Sequence, residues 1–335
     1  MFHQIARRLP LSLIAIIGVS LLVFFLSHVV PGDPARLAAG PQARAEQVET
    51  VRKEYGLDKP VVEQYLIYMR NLFQGDLGKS LQSRRPVLDD LKDYFPATLE
   101  LTLCATLLAV VGGILLGMLS AIYKNQWVDH FSRVFSLAGV SMPLFWLGIV
   151  LVIIFYRDLH WLPFGGRLAP SLTPPERVTG MYLLDSLLEG NAKIFWNSLL
   201  YLILPSVTLA YNSMGTITRM SRASLLDVLQ EDYIRTARGK GLRERLVLIR
   251  HALRNALIPV LTVIGLQFGG LLGGAFLVEV IFSWPGLGTY AMKAIMFLDY
   301  NGIVGVTLLT AAVFMLTNLL VDLLYIVVDP RMRTS

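Results

Sequence analysis

Few residues of this 335-residue chain are placed to do covalent chemistry. Gly75-Asp76-Leu77-Gly78-Lys79-Ser80 invites a phosphate-loop reading. That motif needs a glycine five positions before the Gly of Gly-Lys-Ser, and Phe73 stands there. No other segment offers a nucleotide cradle, so any ATP hydrolysis must come from another chain. The five histidines, His3, His28, His130, His160 and His251, are scattered singly. With no Ser–His–acid set and no metal-ligand spacing, the expectation is no catalytic residue, no metal and no cofactor. The lone Cys104 falls in an apolar run and is expected to be a buried thiol.

Three carboxylates, Glu100, Glu279 and Asp322, fall in or near the ends of apolar runs. Unpaired acids in a bilayer cost several kcal/mol and are functional candidates by default. Glu100 and Glu279 lie near outer ends, where water can reach them, and an interfacial or helix-pairing role is the plainer reading. The segment Ser141-Met142-Pro143-Leu144-Phe145-Trp146 pairs a ladder-breaking proline with a flexible thioether. It either lines or kinks a pathway, or simply packs. Met142, Pro143, Phe145, Asn212 and Glu279 are the candidate pathway residues.

The elements that must carry these residues are membrane spans. The chain is 54% hydrophobic and 16% charged, against about 25% charged in soluble domains. Six apolar runs stand out, at 9–30, 97–123, 134–156, 196–218, 257–282 and 303–328. At about 22–27 residues each, they are long enough to cross a bilayer with some tilt. The fourth is interrupted by Asn197, Pro205, Asn212 and Ser213, so it is expected to face the protein interior. The first is too long for a signal-peptide core and no cleavage site follows it. Gly265, Gly269 and Gly273, with a weaker pair at Gly113 and Gly117, suggest close helix packing against another span or a second chain. With both termini in the cytoplasm, the inner segments hold fifteen Lys and Arg and the short outer loops five. The net charge of +6 is thus an inner-face property and needs no nucleic acid.

Two segments outside the bilayer are informative. The outer stretch 31–95 opens with the turn cluster Pro31-Gly32-Asp33-Pro34 and then shows short helical patterns, as at 61–69. It fits a cap over a pore mouth or a landing surface for an external protein. The inner loop 219–256 carries nine basic residues. Ser221 or Ser224 could cap a short helix, Gly239 and Gly241 mark a turn, and Leu242, Leu246, Ile249 and Leu253 recur at helical spacing. The loop is either a solvated or headgroup-facing surface or a docking knob, with Asp232, Tyr233, Arg235 and Arg238 offering directional contacts.

The chain resembles the inner-membrane permease subunits of ATP-binding-cassette importers, in the dipeptide/oligopeptide/nickel permease family. The likeness rests on Arg7-Arg8 with His28 to Pro34, on Tyr55-Gly56-Leu57-Asp58-Lys59-Pro60 with Gly75-Asp76-Leu77-Gly78, and on Glu231-Asp232-Tyr233-Ile234-Arg235-Thr236-Ala237-Arg238-Gly239-Lys240-Gly241 with His251 to Pro259. It is completed by Glu279-Val280-Ile281-Phe282-Ser283-Trp284-Pro285-Gly286-Leu287-Gly288. The resemblance implies an all-α polytopic protein of the type I importer permease fold. Its domains would be a tail and first span at 1–30, an extracytoplasmic segment at 31–95, a permease core at 96–328 and a tail at 329–335. It also implies a coupling helix that inserts into an ATPase groove, carried here by Asp232, Tyr233, Arg235, Thr236, Ala237, Arg238, Gly239, Lys240 and Gly241. Of the wider family's Glu-Ala-Ala-x-x-x-Gly pattern, this chain keeps Ala237 and Gly241. The implied partners are a second homologous permease in a heterodimer, two ATPase subunits, an extracytoplasmic solute-binding protein and the bilayer of the bacterial inner membrane. The implied role is uptake of di- or oligopeptides by alternating access. Nickel, glutathione or sugar uptake, or a secondary transporter, are the alternatives.

Overall fold

The computed structural model describes residues 17–22, 24–25, 34–39, 43–54 and 58–328. Most of the expected first span, the motif residues 28–33 and 55–57, and the tail 329–335 lie outside the described residues, as does the side chain of Asp322.

The described chain is helical, and its single β-bridge pairs Lys79 with Pro86. Three short helices fill the outer stretch: α1 (Pro34–Ala39), α2 (Ala45–Glu54) and α3 (Val61–Phe73). Then come α4 (Val87–Ile122), α5 (Trp127–Ser141) and α6 (Leu144–Leu151), the last running on through a π-turn at Val152–Asp158. The short α7 (Tyr182–Glu189) ends at Gly190, whose φ of 73° gives the left-handed cap that glycine favours. After it α8 (Ala192–Val228) starts at Asn191, whose side chain accepts from the Ile194 N–H. Next are α9 (Asp232–Gly239) and α10 (Glu244–Leu246), which continues through a π-turn at Val247–Leu253 into α11 (Arg254–Ile281). The described chain closes with α12 (Leu287–Met296) and α13 (Tyr300–Val328).

Four of these helices are long and apolar enough to cross a membrane: 87–122, 192–228, 244–281 and 300–321. They coincide with the second, fourth, fifth and sixth expected runs. The run at 134–156 differs. It is two helices, α5 and α6, bent by 112° at Met142-Pro143, and counts as a fifth crossing if the pair is one broken span. Proline supplies the reason: it has no N–H to donate, and it biases the preceding residue toward extended backbone. Met142 accordingly sits at ψ 131°.

The chain forms two compact units. In the unit of residues 97–285 and 316 onward, Leu101, Ala105, Leu202, Leu209, Val278 and Trp284 belong to one apolar core. Half of the most apolar stretch of α8 is buried, against a third or less for the other spans, which agrees with an interior position. Its small residues allow this: a Cβ on Gly215 would meet the Ser136 carbonyl of α5 at 2.7 Å. Gly265 likewise lets α11 approach Val321 of α13, where a Cβ on the glycine would stand 2.2 Å from the valine side chain; Gly273 faces open space.

In the unit of residues up to Pro96 together with 286–315, Val87, Leu91, Leu287 and Tyr290 form the core. The Gly75–Ser80 segment is pinned there. Gly78 has φ +76°, the Asn301 amide donates to the Lys79 carbonyl at 2.8 Å, and the Ser80 hydroxyl donates to the buried Asp299 carboxylate. A loop set against a carboxylate is no cradle for phosphate.

Candidate functional site

The helix α9 divides the expected coupling residues between two faces. Ile234 and Ala237 point inward and are buried with Ala121 of α4, Leu225 of α8, and Val247, Ala252 and Ala256 of the returning helix. Asp232, Tyr233, Arg235, Thr236, Arg238, Gly239 and Lys240 are exposed, as is Gly241 just after the helix. Gly241 has φ +74°, the left-handed geometry that a tight reversal requires. Gly239 is helical, with open space where a side chain would begin.

Local bonds fix this knob. Arg238 forks onto Glu244 at 2.6 and 3.1 Å, and that pairing holds its pKa above the ordinary value. The Asn255 amide donates to the Tyr233 hydroxyl at 2.7 Å, joining the two halves of the inner-loop signature. Asp232 and Arg235 lie 3.3 Å apart and remain largely solvent-facing. Ser221 and Ser224 cap nothing, because α8 runs straight through both; Ser224 instead donates to the Ala256 carbonyl at 2.8 Å. The stripe Leu242, Leu246 and Ile249 is exposed, and Val247 and Ala252 supply the buried side.

The expected pathway residues separate. Met142, Pro143, Phe145 and Asn212 are exposed, and Asn212 donates to the Gly139 carbonyl at 3.3 Å, beside the bend. Glu279 is not with them. It is fully buried, accepting from the Thr98 hydroxyl at 2.6 Å, next to a corner where the Trp284 indole donates to the Ala97 carbonyl. Glu100 is buried too, bound to Arg167 at 2.5 Å and to the Leu183 N–H at 2.7 Å. Both acids therefore pair helices and loops, and neither is open to water in this structure.

Two ion pairs built on buried carboxylates were not legible in the sequence. Arg167, besides Glu100, bonds the Gly180 carbonyl and stacks on Tyr182 with 3.7 Å to the ring centre. Asp129 of α5 binds Arg222 of α8 at 2.7 and 2.9 Å. The partners are 67 and 93 residues apart, and no local pattern marks them.

The family "Binding-protein-dependent transport system inner membrane component" matches residues 113–334, and its N-terminal companion matches residues 1–102. The chain belongs to this family. The chain is thus a multi-pass inner-membrane subunit of an ABC import system, which works with an ATPase and a binding protein. As a permease it supplies the pore, and ATP hydrolysis belongs to the separate cassette subunits. Among its relatives, the probable D,D-dipeptide transport permease DdpB of Escherichia coli K12 is 47% identical over 98% of this chain and 97% of its own. The di/tripeptide transport permease DppB of Pseudomonas aeruginosa is 46% identical, and the glutathione transport permease GsiC of Pectobacterium atrosepticum 42%, each over 99% of both chains. The solved MetNI methionine ABC transporter matches with a TM-score of 0.50 and 16% identity, over 70% of this chain and 93% of that one. At that identity the match speaks for the fold alone.

Proposed function

We propose that this permease forms one half of the translocation path of an importer for dipeptides and other short peptides, paired with a second, distinct homologous permease. The end-to-end identity of 44–47% with dipeptide, D,D-dipeptide and di/tripeptide permeases carries the substrate class. Glutathione, itself a short peptide, is the second reading, supported by the 42% relative. Both termini face the cytoplasm in this reading, as the basic residues of the inner segments favour. The outer segment 31–95 receives the binding protein, and the core 96–328 holds the exposed bend at Met142-Pro143 and Asn212 in the path.

The helix α9 couples the path to ATP. Its inward face is anchored by apolar packing and its outward face is bare and charged, the two properties that a docked, force-bearing element needs. A short helix held at both ends passes on a rigid-body push and opens the path alternately to either side. The discriminating variant is Gly239→Trp. Gly239 is exposed and nothing lies within 4 Å of its Cβ position, so a side chain there starts in open space and extends from the face assigned to the docked partner. The complex purified with this variant should lose its ATPase subunits while the two permeases stay together. In vesicles, labelled dipeptide uptake should require ATP, the binding protein and both permeases; uptake by this chain without ATPase would sink the proposal.

A further inference from the structure

Arg222 stands in α8 one turn before Leu225, the residue through which α8 meets α9. Its Nε donates to Oδ1 of Asp129 at 2.7 Å and a terminal N–H to Oδ2 at 2.9 Å. Asp129 is fully buried and also accepts from the Ser120 hydroxyl at 2.7 Å and the Asn125 N–H at 2.9 Å. Asn125 has φ +64°, a left-handed geometry that asparagine tolerates better than most residues. Arg133 adds a longer approach at 3.5 Å. One carboxylate thereby gathers the end of α4, the turn after it, the first turn of α5, and α8.

The helices it joins are already in backbone contact. A Cβ on Gly117 of α4 would lie 2.5 Å from the Ser221 Cβ and 2.6 Å from the Thr218 carbonyl of α8. On Gly139 of α5 it would lie 2.9 Å from the Tyr211 carbonyl of α8. Close packing of this kind resists compression but lets helices slide past one another. A forked ion pair resists sliding, because its geometry fails with a small sideways shift. As a source of stability alone it would be a poor choice, since apolar residues of equal volume often do as well or better.

We propose that Asp129 and Arg222 are positioning residues, a shear-resistant joint that makes α4, α5 and α8 move as one body when α9 is displaced. The proposal rests on the coupling role of α9 given above. The push enters through Ile234 and Ala237, which pack on Ala121 of α4 and Leu225 of α8. Without the joint, the same push would move α8 past α4 and α5 instead of carrying them.

The test is the full transporter in vesicles, with Arg222→Gln, Arg222→Lys and the double variant Asp129→Asn/Arg222→Gln, which leaves no unpaired buried charge. For Arg222→Gln and the double variant, all subunits should co-purify and ATP hydrolysis should stay within about twofold, while solute imported per ATP falls roughly tenfold. Arg222→Lys should recover most of the coupling. Uptake and hydrolysis falling together in proportion, or an unchanged yield of solute per ATP, would overturn the proposal. Because Gly239→Trp reads ATPase docking separately, a failure of the coupling role itself would show there and not in these variants.

Discussion

In its first half α4 gives Glu100 to an arginine from a loop; near its finish it gives Ser120 to an aspartate that holds an arginine from another helix. Twenty residues separate the two positions, about 30 Å along a helix. At the first, Arg167 and Glu100 are only 6% and 4% exposed, and the bond fastens the 159–181 loop to a span. At the second, Asp129 is 0% exposed but Arg222 is 22% exposed, and the bond fastens span to span. The first pair is sealed and holds a static part in place. The second keeps one partner near solvent, which suits a contact that must survive movement.

The comparison can be broken by removing each arginine in turn. Arg167→Met leaves Glu100 buried with the Leu183 N–H as its remaining direct donor. Stranding a buried charge in this way should cost about 3–5 kcal/mol, read as a large drop in the thermal unfolding midpoint in detergent. Arg222→Met should cost less, roughly 2 kcal/mol, because Asp129 keeps Ser120 and Asn125. Equal losses for the two variants would erase the distinction. Gly117→Ala forces the α4 and α8 backbones apart beside the second pair and should cost about 1–2 kcal/mol by the same measurement.

The smallest effect concerns the loop that Arg167 fastens. Burial pushes the Asp185 carboxyl up, but hydrogen bonds from the Thr179 hydroxyl and from backbone N–H groups at 178–180 outweigh it and hold the pKa below the ordinary 3.8. A depressed carboxyl stabilises the fold above its ordinary value, and that contribution disappears as pH falls through the lower folded value. Protection of the amides at 178–183, measured against the intrinsic exchange rate at each pH, should therefore fall below about pH 4 in the parent and stay level there in Asp185→Asn.

The spans were legible because their signal is compositional: 196–218 and 303–328 sit inside long helices, and 97–123 and 257–282 overrun theirs by one residue. The 134–156 run was legible in hydropathy but not in direction, since hydropathy ignores the change of course that Pro143 imposes. The segment 231–241 stood out by its residues, yet the division of its faces did not. Ala237 packs inward and Arg238 is held by Glu244, distinctions set by which side of a two-turn helix meets Leu225. Asp129 and Arg222 were invisible for a simpler reason. Each reads as an ordinary charged residue beside an apolar run until α5 and α8 are brought together.

The bend at Met142-Pro143 has a consequence for hydration. Where α6 restarts, Pro143 has no N–H, and the first intrahelical acceptor is the Pro143 carbonyl, taken by Leu147 at 3.1 Å. The N–H groups of Leu144, Phe145 and Trp146 thus precede the ladder, as at any helix start. In hydrocarbon each such donor would cost several kcal/mol. Such donors need partners from neighbouring protein or from water, and in the proposed path, where the bend stands exposed, water would serve them.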